Sequence, residues 1–234
     1  MNQARIRIRG LSETFTLHQQ GGIALPVLQG VDLDVQAGEC VALDGRSGAG
    51  KSTLLKCIYA NYLASSGSIE VRHAGETVDI TRACAATLLD VRRQTIGYVS
   101  QFLRVIPRVP AIDIVAEELA DRAADDADAL RQARAQAERL LQRLRIPLRL
   151  WGLPPSTFSG GEQQRVNIAR GFIHPRPIML LDEPTASLDA GNRQTVTEMI
   201  REARDGGAAI IGIFHDHRVR DAVATRTVTM EELA

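Results

Sequence analysis

The stretch Gly45-Arg46-Ser47-Gly48-Ala49-Gly50-Lys51-Ser52 limits what this chain can fold into more than any other. It fits the pattern G-x-x-x-x-G-K-[ST]. Before it, "ECVALD" at 39–44 reads as a short buried strand; after it, "KSTLLKCIYANYL" at 51–63 reads as a helix. A glycine-rich turn in that setting points backbone N–H groups inward, and the helix aims its positive end at the same place. The result is a cradle for phosphate. A plain strand-to-helix turn needs neither the lysine nor the serine. The pattern therefore predicts that Lys51 contacts the β- and γ-phosphates of ATP and that Ser52 ligates Mg²⁺. Gly45, Arg46, Ser47, Gly48, Ala49, Gly50, Lys51, Ser52 and Thr53 form the expected phosphate-binding set. The chain has two lysines, Lys51 and Lys56, and its other basic side chains are arginines, so Lys51 stands out.

The remaining pattern supplies a setting for this loop. Arg5 to Arg9 alternates as a strand with one buried face, and "VLQGVDLDV" at 27–35 alternates likewise. "GSIEVRH" at 67–73 and "ETVDI" at 76–80 read as a hairpin turning at Ala74-Gly75. "TIGYVS" at 95–100, "PIMLLDE" at 177–183 and "AAIIGIFH" at 208–215 are buried strands. From about Ile112 to Arg145 the texture is helical, with Leu130, Ala133, Ala137, Leu140, Leu141 and Leu144 as an apolar stripe. A further helix starts near Gly161, and "AGNRQTVTEMIREARDG" is a helix ending at Gly206-Gly207. This order predicts an α/β fold with a mostly parallel sheet flanked by helices and a helical insertion.

In an open parallel sheet ligands sit outside the carboxyl ends of the strands. Asp182 and Glu183 end one strand, and two adjacent carboxylates there need a positive neighbour. Asp182 is expected to hold Mg²⁺, and Glu183 to orient the attacking water. His215 and Gln101 lie at neighbouring tips. Gln101 can reach Mg²⁺ or the water from there, or serve as a plain surface glutamine. Ser159, Gly160, Gly161 and Glu162 open a second helix whose free N–H groups also suit phosphate. The first loop already serves the β-phosphate side of its own nucleotide. The second is therefore expected to serve the ATP of another copy, in a two-fold homodimer that buries two ATP molecules.

Composition excludes several classes. Cationic and anionic side chains number 28 each, so no basic excess points to nucleic acid. The loop lacks the G-x-G-x-x-G spacing of a dinucleotide site. Cys40, Cys57 and Cys84 have neither zinc nor C-x-x-C spacing, and are expected to be buried, reduced thiols. No window approaches the roughly 18 apolar residues of a membrane span, and "MNQARIRIRG" has no signal-type apolar stretch. A cytoplasmic protein without membrane insertion is expected.

In order, "GRSGAGKS", "SQ", "FSGGEQQR", "MLLDEP", "SLD" and "FHD" resemble the nucleotide-binding domain of the ATP-binding cassette family over essentially the whole chain. The resemblance implies a P-loop NTPase fold with an antiparallel N-terminal β subdomain and an inserted helical subdomain. The nucleotide-binding core would span 1–111 and 174–234, and the helical part 112–173. It implies that Gln101 is the Q-loop glutamine and that Ser159 to Glu162 lie in the signature. Ser187-Leu188-Asp189 would be the D-loop, with Asp189 near the nucleotide, and His215 the switch histidine. Phe15 sits where an adenine-stacking aromatic belongs, and equally fits a core position of the first sheet. Phe158 replaces the usual signature leucine, and Glu162 stands where glutamine is common.

"HQQGG", "SQFLRVIPR", "LWGLPPSTFSGGEQQRVNIARGFI" and "GIFHD" look like the L-subunit family of the bacterial carbon–phosphorus lyase system for phosphonate use. That likeness implies an ATPase partnered with soluble C–P lyase subunits and associated with the alpha-D-ribose 1-methylphosphonate 5-triphosphate synthase step. No motif shows a ribosyl-transfer site. Arg104 and Arg108 are expected to face the partner. The alternative expectation is the motor of a membrane transporter of lipoprotein or peptide export type, against which Ile114 stands where many such motors have asparagine. A cassette protein of DNA repair or chromosome structure would need a longer insertion.

Overall fold

The computed structural model describes residues 4–17, 21–103, 107–123 and 126–233. Two sheets organise it. β1 (Ile6–Leu17), β2 (Ile23–Val35), β4 (Ser66–His73) and β5 (Glu76–Asp79) form an antiparallel sheet in the order β2-β1-β4-β5. β3 (Cys40–Asp44), β6 (Ile96–Val99), β7 (Ile178–Asp182), β8 (Ala209–Ile213) and β9 (Arg226–Thr229) form a parallel sheet in the order β6-β7-β8-β3-β9. The expected hairpin turns at Ala74 and Gly75, with φ of 48° and 89°. Two successive left-handed residues match the right-handed twist of the flanking strands.

Alternation along the parallel strands divides the core. On β7, Met179 and Leu181 face one way, towards α3 (Ala111–Ala123), α4 (Ala127–Arg143), α6 (Gly160–Phe172) and α7 (Ala190–Asp205). Ile178 and Leu180 face the other way, towards the antiparallel sheet and α1 (Lys51–Ile58). Strands buried on both faces read as continuous apolar runs, and the five residues of β7 are all buried. The helices 111–172 share their core with one face of the parallel sheet. Gly171 allows the close approach of α6 to β6, because a Cβ there would lie 2.4 Å from a methyl of Val99.

Several elements depart from the sequence expectation. α1 stops at Ile58 instead of running to Leu63. Ala60 turns left-handed at φ 56°, and the Arg92 guanidinium donates to the carbonyls of Tyr59 (2.9 Å) and Ala60 (2.7 Å). A side chain from α2 (Ala85–Gln94) thus satisfies carbonyls at the end of α1, which local sequence cannot signal. α2 itself, the short α5 (Leu148–Trp151), α8 (His217–Val223) and the polar strand β9 were not anticipated either. β9 follows from its pairing with β3. In α4 the stripe holds at Ala133, Ala137 and Leu141 and continues to Leu144, but Leu130 at its start is 39% exposed. Cys40 and Cys57 are buried, and burial pushes both thiols up to about 12. Cys84 is exposed, contrary to expectation, because it caps α2 at the surface.

Leu181 is fully buried on β7, an interior strand of the parallel sheet. Leu181→Ala is expected to destabilise the fold by about 2–5 kcal/mol, read as a lower denaturant midpoint at unchanged slope.

Candidate active site

The strand tips converge as the parallel order requires. Gly50, at φ 90°, opens α1. A Cβ at Gly50 would lie 2.8 Å from the Val27 carbonyl oxygen, so only glycine lets the loop pack against β2. Lys51 Nζ folds back onto the loop and donates to the carbonyls of Gly45 (2.5 Å) and Arg46 (2.9 Å). The loop lines a cavity of about 190 Å³ together with Val27, Glu183, Ile213 and His215. Ligand pockets usually run from about 300 Å³ upwards. This cavity therefore has room for part of a nucleotide and leaves the rest uncovered.

Ser52 Oγ donates to Asp182 Oδ1 at 3.1 Å. Asp182 is 4% exposed, and burial is the main cause of a proton affinity above the usual carboxylate range. Glu183 follows in a left-handed conformation, φ 51°, which costs energy in a residue with a Cβ. Its N–H donates to Ile213 O at 3.1 Å, and its carboxylate is swung between two neighbours. Gln101 Nε2 donates to Glu183 Oε2 at 3.0 Å, and His215 Nε2 lies 2.6 Å from Oε1. Gln101, Asp182, Glu183, His215, Lys51 and Ser52 are thus brought to one crevice. Asp44 does not face it as an acid: it pairs with Arg220 (3.2 Å) and accepts from the Gly45 N–H (2.7 Å).

The signature residues form a separate group, with Ser159 and Gly160 exposed and Gly161 and Glu162 half-buried. Ser159 caps α6 in a reciprocal box: Glu162 Oε2 accepts from Ser159 N (2.9 Å) and Ser159 Oγ (2.7 Å). Those bonds hold the Glu162 carboxyl below its ordinary range. A Cβ at Gly161 would lie 2.8 Å from Ser187 O, so the signature and the segment before α7 are packed backbone to backbone. Asp189 caps α7, accepting from Asn192 N (2.8 Å) and Asn192 Nδ2 (2.6 Å). Ser159, Gly160, Gly161, Glu162 and Asp189 do not line the cavity at Lys51. Neither does Phe15, whose ring packs edge-on against Tyr62 with centroids 5.2 Å apart.

Three polar residues that sequence reasoning passed over support the site. Tyr98 OH donates to Asp182 Oδ2 at 3.2 Å. Asn167 Nδ2 donates to Ser100 O (2.6 Å), beside Gln101, and Gln164 Nε2 to Pro184 O (3.2 Å), beside Glu183. The two amides break the buried face of α6, which was the available signal. Arg104 lies outside the described residues. Arg108 has a left-handed backbone, φ 65°.

This fold and site define a P-loop NTPase of the cassette type, with an antiparallel sheet, a parallel sheet and helices. A family model described as ABC transporter matches residues 28–186, more than half of the chain, and the chain belongs to that family. The lipoprotein-releasing system ATP-binding protein LolD of Shewanella frigidimarina is 36% identical over 231 residues, 98% of this chain and 91% of that protein. The macrolide export ATP-binding/permease protein MacB of Bradyrhizobium diazoefficiens is 38% identical over 91% of this chain, which covers 31% of MacB. Dimeric structures of the bacterial ABC transporter cassette MJ0796, one bound to ADP and Pi, superpose with TM-scores of 0.85 and 0.84. Both are 26% identical to this chain, covering 97% and 96% of it, and 96% and 93% of those chains.

The lowered Glu162 carboxyl carries a sign. Its contribution to capping α6 is present above the ordinary carboxylate range and is lost as pH falls through the depressed value. Glu162→Gln should therefore flatten the acid limb of the pH–stability curve by lowering stability at neutral pH, with little change at low pH. Ser159→Ala should cost about 0.5–2 kcal/mol at neutral pH, measured by thermal or denaturant unfolding.

Proposed function

We propose that this chain is an ATP-hydrolysing motor subunit that works as a homodimer with two ATP molecules between its copies, and that its partner is a membrane permease of export type. The observation that carries the chemistry is the Glu183 carboxylate, held between Gln101 and His215 at the mouth of the phosphate loop. In this reading the Gly45–Thr53 loop binds the phosphates, and Lys51 exchanges its two carbonyl partners for phosphate oxygens. Glu183 aligns water, and His215 with Lys51 steadies charge on the γ-phosphate.

The donor set suits Mg²⁺. Asp182 is buried with its charged form disfavoured, and the Ser52 hydroxyl beside it keeps lone pairs free, so a hard cation relieves the cost. Ser52 and Asp182, with Gln101, would hold the ion. When bound, it neutralises charge on the β- and γ-phosphates.

The dimer reading rests on the small, open cavity at Lys51 and on the exposed start of the signature. Ser159, Gly160, Gly161, Glu162 and Asp189 would cover the ATP held by Lys51 of the other copy. Phe15 would stack on adenine once a nucleotide draws it from Tyr62. Among the described residues no helix is long and apolar enough to cross a membrane. The partner would engage Phe102, which is 76% exposed beside Gln101 and borders a cavity of about 720 Å³.

The names of LolD and MacB support the export reading over the phosphonate one expected from sequence; neither relative comes from a C–P lyase system. The soluble phosphonate partnership remains the second reading. It rests on the four matching stretches and on Ile114, which stands where many export motors have asparagine.

Glu183→Gln should bind ATP, hydrolyse it very slowly and accumulate as an ATP-bound dimer on size exclusion with light scattering; wild-type turnover would refute the assignment. Lys51→Ala should lose nucleotide affinity. Tagged Glu183→Gln, captured with Mg²⁺-ATP from cells grown on a phosphonate, separates the partners. A permease in the eluate supports the export motor, and soluble phosphonate-pathway subunits support the second reading.

A further inference from the structure

Asp182 accepts a hydroxyl on each carboxylate oxygen: Ser52 on Oδ1 at 3.1 Å and Tyr98 on Oδ2 at 3.2 Å. The first belongs to the phosphate-loop pattern. The second does not, and it follows from register. Tyr98 stands opposite Leu180 in the parallel pairing of β6 with β7, so its side chain emerges on the face shared by Leu180 and Asp182. From there its hydroxyl meets the carboxylate at the strand tip.

The ring is itself held. Tyr98 packs on Tyr59 with centroids 5.1 Å apart, and the Arg92 guanidinium lies 4.9 Å from the Tyr59 ring centroid. Tyr59 is the C-cap of α1, and Ser52 lies in the first turn of the same helix. Both hydroxyls on Asp182 therefore trace to one rigid element, one directly and one through a packed pair of tyrosines tilted by 41°. A carboxylate's terminal torsion is broad and roughly two-fold, so a donor on a single oxygen leaves the plane free to rotate. Donors on both oxygens define it. Packing against Tyr59 needs only the ring; the hydroxyl has its use in the buried carboxylate.

We propose that Tyr98 is a positioning residue for the metal site, fixing the Asp182 carboxylate so that it and the Ser52 hydroxyl meet Mg²⁺ without rearrangement. The inference rests on the reading of Asp182 and Ser52 as the cation-holding pair. Hydrogen-bond partners of metal-binding carboxylates typically carry about 10–100-fold in metal affinity or activity.

The test is Tyr98→Phe in the full chain, which removes one oxygen and keeps the ring. Binding of ADP without metal, by calorimetry, should match wild type. The Mn²⁺ concentration that half-saturates the protein–ADP complex, followed by electron paramagnetic resonance, should rise about tenfold. In hydrolysis, the Mg²⁺ requirement should rise by a similar factor, with kcat at saturating Mg²⁺ changed much less. Tyr98→Leu should show the same metal shift if the hydroxyl is responsible. An unchanged Mn²⁺ dependence in Tyr98→Phe overturns the proposal, as does a shift confined to Tyr98→Leu. Absence of metal-linked ADP binding in the wild type would instead overturn the reading of Asp182 and Ser52 on which the proposal stands.

Discussion

Two carboxylates stand side by side at the end of a fully buried strand, and much of the rest of the architecture is arranged around tolerating them. Asp182 and Glu183 cap β7, whose five residues are all buried. Burying charge is costly unless it is met by donors or opposite charge. The protein meets Asp182 with two hydroxyls, from α1 and β6, and Glu183 with the amide of Gln101 and the ring of His215. Those partners come from the tips of β6 and β8 and from the helix after β3. Parallel pairing is what sets them at one height, because only then do consecutive strand ends point the same way.

The same constraint explains the strained position of Glu183. A left-handed backbone at a residue with a Cβ persists only where its surroundings over-determine it. Here the N–H is tied to Ile213 O and the carboxylate is claimed from two sides. Further out, Asn167 and Gln164 reach from α6 to the carbonyls of Ser100 and Pro184. α6, which opens at Gly160, is thus tied by hydrogen bonds to the segments bearing Gln101 and Glu183. Those two bonds connect the helix opened by Ser159 to the strand tips that carry Gln101 and Glu183.

Much of this was legible in the amino-acid order. The phosphate loop, the buried strands at 39–44, 95–100, 177–183 and 208–215, and the hairpin at Ala74-Gly75 are local patterns: a turn chemistry, an apolar run, a left-handed pair. Local patterns survive translation into structure because short-range sterics and burial decide them. The cassette family was legible for the same reason, since its motifs are short and ordered along the chain. The particular partner system was less so. It depends on surface contacts, and there the likeness to phosphonate proteins and the names of the relatives diverge.

By itself, then, the sequence determined that a glycine loop of phosphate-binding pattern would join a strand to a helix, and that Asp182, Glu183, His215 and Gln101 would lie at strand tips. Only the tertiary structure decided how they meet. It ended α1 at Ile58 through Arg92 on another helix, and it placed Phe15 against Tyr62. It also turned Tyr98 from an ordinary strand residue into a partner of Asp182. Each of these depends on which strands lie side by side and in what register, a property of the folded chain that no local run of residues encodes.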